Sequence, residues 1–139
     1  MRQSGVKKLA IAIYGVLTTA VDSVSWNAGT ALEETAFPYG TYNFRTSAQT
    51  EYASENTRYE THVFDIIVYD DDYFDCMSYL DDVRAALDLI PLEIGGPTVH
   101  LATYIDSSGI ELDPDYKQDG AEVWMGILTI SVHIQWESK

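Results

Sequence analysis

Apolar residues recur at helical and strand periods along most of the chain, and they predict the elements in order. Val6, Leu9, Ile13, Val16, Leu17 and Ala20 return every three or four residues, with Lys8, Ala12, Gly15, Thr19 and Asp22 on the other side. That spacing predicts an amphipathic first helix. Arg2, Lys7 and Lys8 ahead of the apolar stretch 9–21, with Thr18-Thr19-Ala20 behind, also carry the texture of a cleaved secretory leader. The helical period favours the helix.

A polar stretch follows from Ser23 to Ala36, with Asn27-Ala28-Gly29 as a turn. Phe37-Pro38-Tyr39-Gly40 leads into an extended run at 41–45, since proline holds the residue before it extended. Residues 46–56 are rich in Ser, Thr, Asn and Glu and read as a mobile hairpin tip or long loop, reaching to about residue 57. Residues 58–69 alternate cleanly. His62, Phe64, Ile66 and Val68 take one face and Val63, Asp65, Ile67 and Tyr69 the other, which suits a central strand.

Asp70-Asp71-Asp72 ends that strand and opens a second helix. Phe74, Met77, Leu80, Val83 and Leu87 are its expected inner face. Pro91 and Gly95-Gly96-Pro97 then break the chain. A strand is expected at 98–105, a loop at 106–109 and a polar connection at 113–120. The last strand, 122–136, sets Trp124, Leu128, Ile130, Val132, Ile134 and Trp136 against Thr129, Ser131, His133 and Gln135. Its second face is expected to be wet in the second half. The order predicts one α+β domain over residues 1–139: a mainly antiparallel sheet of four to five strands with two helices packed on one face.

Charge narrows the function classes. Eight bases against 22 acids give a net charge of −14. Residues 1–59 balance five against five, while residues 60–139 set three bases against 17 acids and carry the whole excess. Such a chain cannot be held on nucleic acid mainly by phosphate contacts. No apolar run reaches the roughly 18–20 residues of a membrane-spanning helix, and no membrane partner is expected. The single cysteine, Cys76, excludes an internal disulfide framework and a multi-cysteine zinc site.

The candidate chemistry is sparse. His62 and His133 fall on opposite faces of their strands, so a three-histidine metal site lacks convergence. Asp70, Asp71, Asp72 and Asp75 point in different directions and suit a helix start. Asp113, Asp115 and Asp119 with Gly120 miss the offsets of an EF-hand loop. Cys76 lies near a helix start, but its acidic neighbours oppose a reactive thiolate. Gly-x-Ser-x-Gly, the P-loop, GxGxxG and HExxH are absent. No catalytic residue, cofactor or metal is expected.

The chain runs in order through an N-terminal helix, Phe37-Pro38-Tyr39, a polar tip and Thr61-His62-Val63-Phe64-Asp65-Ile66, a likeness of order and texture rather than of invariant chemistry. With Val83-Arg84-Ala85-Ala86-Leu87 and Gly126–Val132 after an Asp/Gly turn, it resembles the small tail-completion and tail-terminator proteins of long-tailed bacteriophages. The resemblance covers roughly residues 5–136, with Phe37–Tyr39 and Val83–Leu87 carrying most of it. It implies a non-enzymatic virion part at the tail–neck junction, made in the host bacterial cytoplasm. Such a protein forms a six-membered homo-oligomeric ring on the tail tube, stops its polymerisation and meets a neck or head-completion protein. DNA passes through without specific binding. The tip around Arg45, Tyr52 and Arg58 is the candidate contact surface. The reading from another class is an acidic inhibitor or DNA mimic whose carboxylates occupy a basic partner. A neck or head-completion protein of similar fold is a further alternative, and a divalent-dependent hydrolase, which would need a bound metal, is the third class.

Overall fold

The computed structural model describes residues 6–29, 37–47, 51–54, 57–88, 98–118 and 121–137. Among the described residues two helices and one mixed sheet make an α+β fold. Helix α1 spans Val6–Ala20 and helix α2 spans Tyr73–Leu87. The strands are β1 (Ser25–Ala28), β2 (Tyr39–Ser47), β3 (Glu51–Ser54), β4 (Thr57–Asp70), β5 (Thr98–Gln118) and β6 (Ala121–Glu137). Across the sheet the order is β1-β2-β4-β6-β5, and β3 adds a short piece against β4. Among the described strands only the β1–β2 pair is parallel.

One face of the sheet carries both helices. Phe64, Ile66 and Val68 of β4 and Leu128, Ile130, Val132 and Ile134 of β6 are fully buried on it. Leu9, Ile13 and Leu17 of α1 and Leu80, Val83 and Leu87 of α2 close the core from above. Helix α1 packs over β1 and β2, α2 packs over β4, β6 and β5, and the helices touch each other. The expected helix α1, the central position of β4 and the inward face of β6 are all present.

Several expectations need correction. The irregular stretch 23–36 contains β1, whose Trp26 lies opposite Gly40 and is buried. Four residues with one large side chain show no period, so packing alone defines this strand. The expected turn at Asn27-Ala28-Gly29 shrinks to Gly29, where φ is +77°. Residues 30–36 lie outside the described residues, as do the turns expected at Pro91, Gly95–Pro97 and Asp119-Gly120.

Within the expected loop at 46–56, β2 runs on to Ser47 and Glu51–Ser54 form β3. Residues 48–50 and 55–56 lie outside the described residues. Strands β2 and β3 occupy the same edge of β4 in succession: Ser47 pairs with His62, and Glu51 takes up the ladder at Tyr59. A polar edge segment gains its place from backbone hydrogen bonds, so it need not alternate.

The loop expected at 106–109 is a bulged part of β5, with a register shift between Ile105 and Ser107. The polar connection at 113–120 survives in part. Pairing stops at Leu112, opposite Trp124, and resumes at Lys117, opposite Glu122, so four residues face one. Thr129 and Ser131 are buried rather than wet. They lie mid-strand, flanked by β4 and β5, and the Thr129 hydroxyl donates to Asp65 at 2.7 Å across the strands.

The inner face of α2 also shifts. Cys76, Leu80, Val83 and Leu87 are buried, while Phe74 and Met77 are exposed. Steps of three turn backwards by about 60° each, so residues 74 and 77 rotate off the stripe that 76, 80, 83 and 87 keep. Asp72 caps this helix: its carboxylate accepts the Asp75 N–H at 3.0 Å.

Candidate interaction surface

The three residues singled out as a contact surface occupy two places. Tyr52 on β3 and Arg58 on β4 are direct cross-strand partners at the far end of the sheet. Arg45 sits in a bulge of β2, between the Phe44–Phe64 and Thr46–Val63 pairs. Along β4 that is five to six residues from Arg58, about 18 Å at the usual strand rise. The end of the sheet therefore pairs Tyr52 with Arg58, and Arg45 stands apart.

Arg45 is 60% exposed, and its guanidinium approaches the Asp65 carboxylate at 3.8 Å. Asp65 belongs to the sheet face without helices, and Arg45, next after the helix-side Phe44, reaches it from that same face. An exposed pair at that distance contributes little stability, at most about 1 kcal/mol. Its value is in leaving a cation at the sheet margin. Between the two places, on the helix-bearing face, His62 and Glu60 form a buried pair with Nε2 2.7 Å from Oε1. The Phe44 ring lies 6.4 Å from the imidazole. His62 is thus packed and bonded. His133, on the other face, lies 3.3 Å from the Thr61 hydroxyl.

Among the described residues no three His, Cys, Asp or Glu side chains are grouped to hold a metal ion. In the Asp70–Asp75 cluster, two carboxylates already serve the backbone. Asp70 accepts from the Asp71 N–H at 2.8 Å, and Asp72 caps α2. Asp70 is buried, which raises its pKa to about 6; the Asp71 and Asp75 charges add to the rise, while the bond from the Asp71 N–H opposes it.

Cys76 is buried under α2, with its sulfur 3.5 Å from the Val68 carbonyl and 3.8 Å from that of Trp124. Burial, then the Asp70 charge, pushes the thiol up to about 11, against a small opposing pull from the backbone at Gly126. A buried thiol of that kind is inert. Ellman's reagent at about pH 8 is expected to leave Cys76 unmodified in native protein and to titrate it fully in urea. Prompt labelling of the native protein would show that the helix opens there.

Sequence reasoning did not find the exposed apolar residues. Tyr73, Phe74 and Met77 surround the start of α2, and the Tyr73 ring meets Trp124 edge-on at 4.9 Å. Ile11 and Tyr14 stand on the outside of α1, with Tyr14 5.8 Å from Tyr42 of β2. The sign of this exposure was in the helical angle of each residue relative to its buried stripe. No helix among the described residues is long and apolar enough to cross a membrane.

No protein-family model matches the chain, and no curated protein matches it in sequence. Among solved structures it is similar to a chain from the virion of a native gene transfer agent (GTA) particle. The TM-score is 0.67 at 13% identity, with 96% of this chain and 99% of that chain covered. At that identity the likeness is one of fold.

Proposed function

We propose that the protein is a structural part of a phage-like virion: a tail terminator or completion protein at the tail–neck junction. It forms a ring on the end of the tail tube, stops polymerisation and offers the neck an attachment surface. The observation that carries this reading is the fold shared end to end with a virion chain, since 96% of one and 99% of the other superimpose. Among the described residues no three His, Cys, Asp or Glu side chains gather into a metal site that would support a catalytic reading.

The mechanism is geometric. A subunit that repeats one head-to-tail contact closes into a ring when the rotation fits, and a closed ring offers the tube no growing end. The acidic excess suits the channel, because carboxylates repel DNA phosphates within a Debye length and let the duplex slide. The Tyr52–Arg58 pair at the end of the sheet, with Arg45 at its margin, supplies contacts for the neck partner.

Electron microscopy of a lysate from a phage with an early stop codon in this gene tests the reading. Full heads beside unattached, overlong tail tubes are the expected result. Separated heads and tails of normal length would replace termination by a neck-joining role. Intact particles would overturn the virion reading and favour an acidic protein that occupies a basic partner.

A further inference from the structure

Among the described residues, six large apolar side chains are exposed, and they fall into two groups. Ile11 and Tyr14 on α1 lead through Tyr42 to Phe44 on β2. Tyr73, Phe74 and Met77 form the second group at the start of α2. Ile11 and Phe74 are 63% and 74% exposed, far beyond what packing within the chain leaves over.

The groups lie on opposite flanks of the helix layer. Tyr14 touches β2, so its side of α1 looks outward over the β1–β2 margin. On α2, Arg84 bonds to Ser108 of β5, and Met77 lies two turns earlier on the same stripe. The second group therefore looks out over the β5 margin. Each apolar patch is larger than a scatter of single surface residues.

Their charges are opposite. Helix α1 carries Lys7 and Lys8 and no acid, and Lys7 is exposed one turn before Ile11. Around the second patch, Asp71, Asp72, Asp75, Asp81 and Asp82 are all exposed. The one base of α2, Arg84, is engaged with Ser108. The field of these acids is felt by Tyr79, whose phenol is held above its ordinary pKa by burial first and then by Asp70, Asp75 and Asp82.

We propose that the two patches are the two halves of one interface, by which the α2 flank of one copy of this chain docks on the α1 flank of the next. Apolar centres meet, and the exposed Lys7 of α1 faces the carboxylates around α2. Pairing of like patches brings acid to acid on the α2 side, so the contact is head-to-tail rather than two-fold. Opposite flanks of one layer are where a propagating contact needs its halves. The inference rests on the proposed function for the closure of the ring, to which it assigns the subunit contact.

Two double variants test it by sedimentation velocity: Ile11→Asp/Tyr14→Asp and Phe74→Asp/Met77→Asp. All four positions are exposed, and circular dichroism checks the folding of each variant. The wild-type chain is expected to show species larger than the 15.6 kDa monomer at tens of micromolar protein, weakening in half-molar salt. Each variant alone is expected to be monomeric. Their equimolar mixture is expected to give a one-to-one dimer and nothing larger, because one intact patch remains on each partner.

A monomeric wild-type chain, a variant that still self-associates, or a mixture that stays monomeric would each overturn the proposal. Failure here with overlong tails in the stop-codon lysate would leave the terminator reading standing. Dimerisation of the mixture with intact particles in that lysate would retain the interface and remove the tail role.

Discussion

Replacing Gly40 by alanine is expected to cost about 3 kcal/mol, a large overpacking penalty. The indole of Trp26 sits against Gly40 from the neighbouring parallel strand, tied by its N–H to the Val21 carbonyl at 3.0 Å. A methyl on Gly40 would come within 2.6 Å of Trp26 Cε3 and 3.0 Å of the Ile67 carbonyl oxygen. The indole is held by its hydrogen bond, and the carbonyl belongs to the central strand, so neither yields cheaply. A drop of about 10 °C in thermal midpoint follows for a chain of this size. Gly15→Ala is the control. Its added carbon meets nothing within 4 Å, and as a helix residue it is expected to add about 0.5–1 kcal/mol. Equal stabilities for the two variants would show that Trp26 does not rest on Gly40.

The second large effect concerns Asp70. Its folded-state pKa of about 6 lies above the ordinary 3.8, so the folded chain holds this proton while the unfolded chain gives it up. Stability therefore falls as pH rises from about 4 to about 6 and levels off above, where ionised Asp70 strains the folded state. Asp70→Asn keeps an acceptor for the Asp71 N–H and removes the charge. The variant is expected to match the wild type below pH 4 and to exceed it by about 1–3 kcal/mol at pH 7. Urea unfolding across this range, read as variant minus wild type, isolates this carboxyl from the other acids. A difference independent of pH would show that Asp70 ionises in the open.

These two sites mark where the sequence was legible and where it was not. Helix α1, β4 and the inward face of β6 were readable because each buries a long stripe at a fixed period. Strand β1 was not, because Trp26 is held by Gly40 and Val21, contacts with no trace in the four residues Ser25–Ala28. Strand β3 and the middle of β5 hide for another reason. Both lie at edges, where backbone pairing tolerates polar side chains.

The contact surface was harder still. Arg45, Tyr52 and Arg58 stand out in composition as cations and an aromatic in a polar stretch, and the sheet separates Arg45 from the other two. Phe74 and Met77 read as core because hydrophobicity does not say which side of a helix faces inward. Only the angle to the 76–80–83–87 stripe does.

Strand β5 is the outer strand of the described sheet at one margin, and its 21 residues would make a long template for a foreign strand. Its three register shifts cut the pairing into runs of which the longest, Ser107–Leu112, has six residues. Each shift twists the margin and offsets its free N–H and C=O groups, so an incoming straight strand loses step within two turns of the pleat. The β5 margin is thereby guarded against amyloid-like stacking on a second strand.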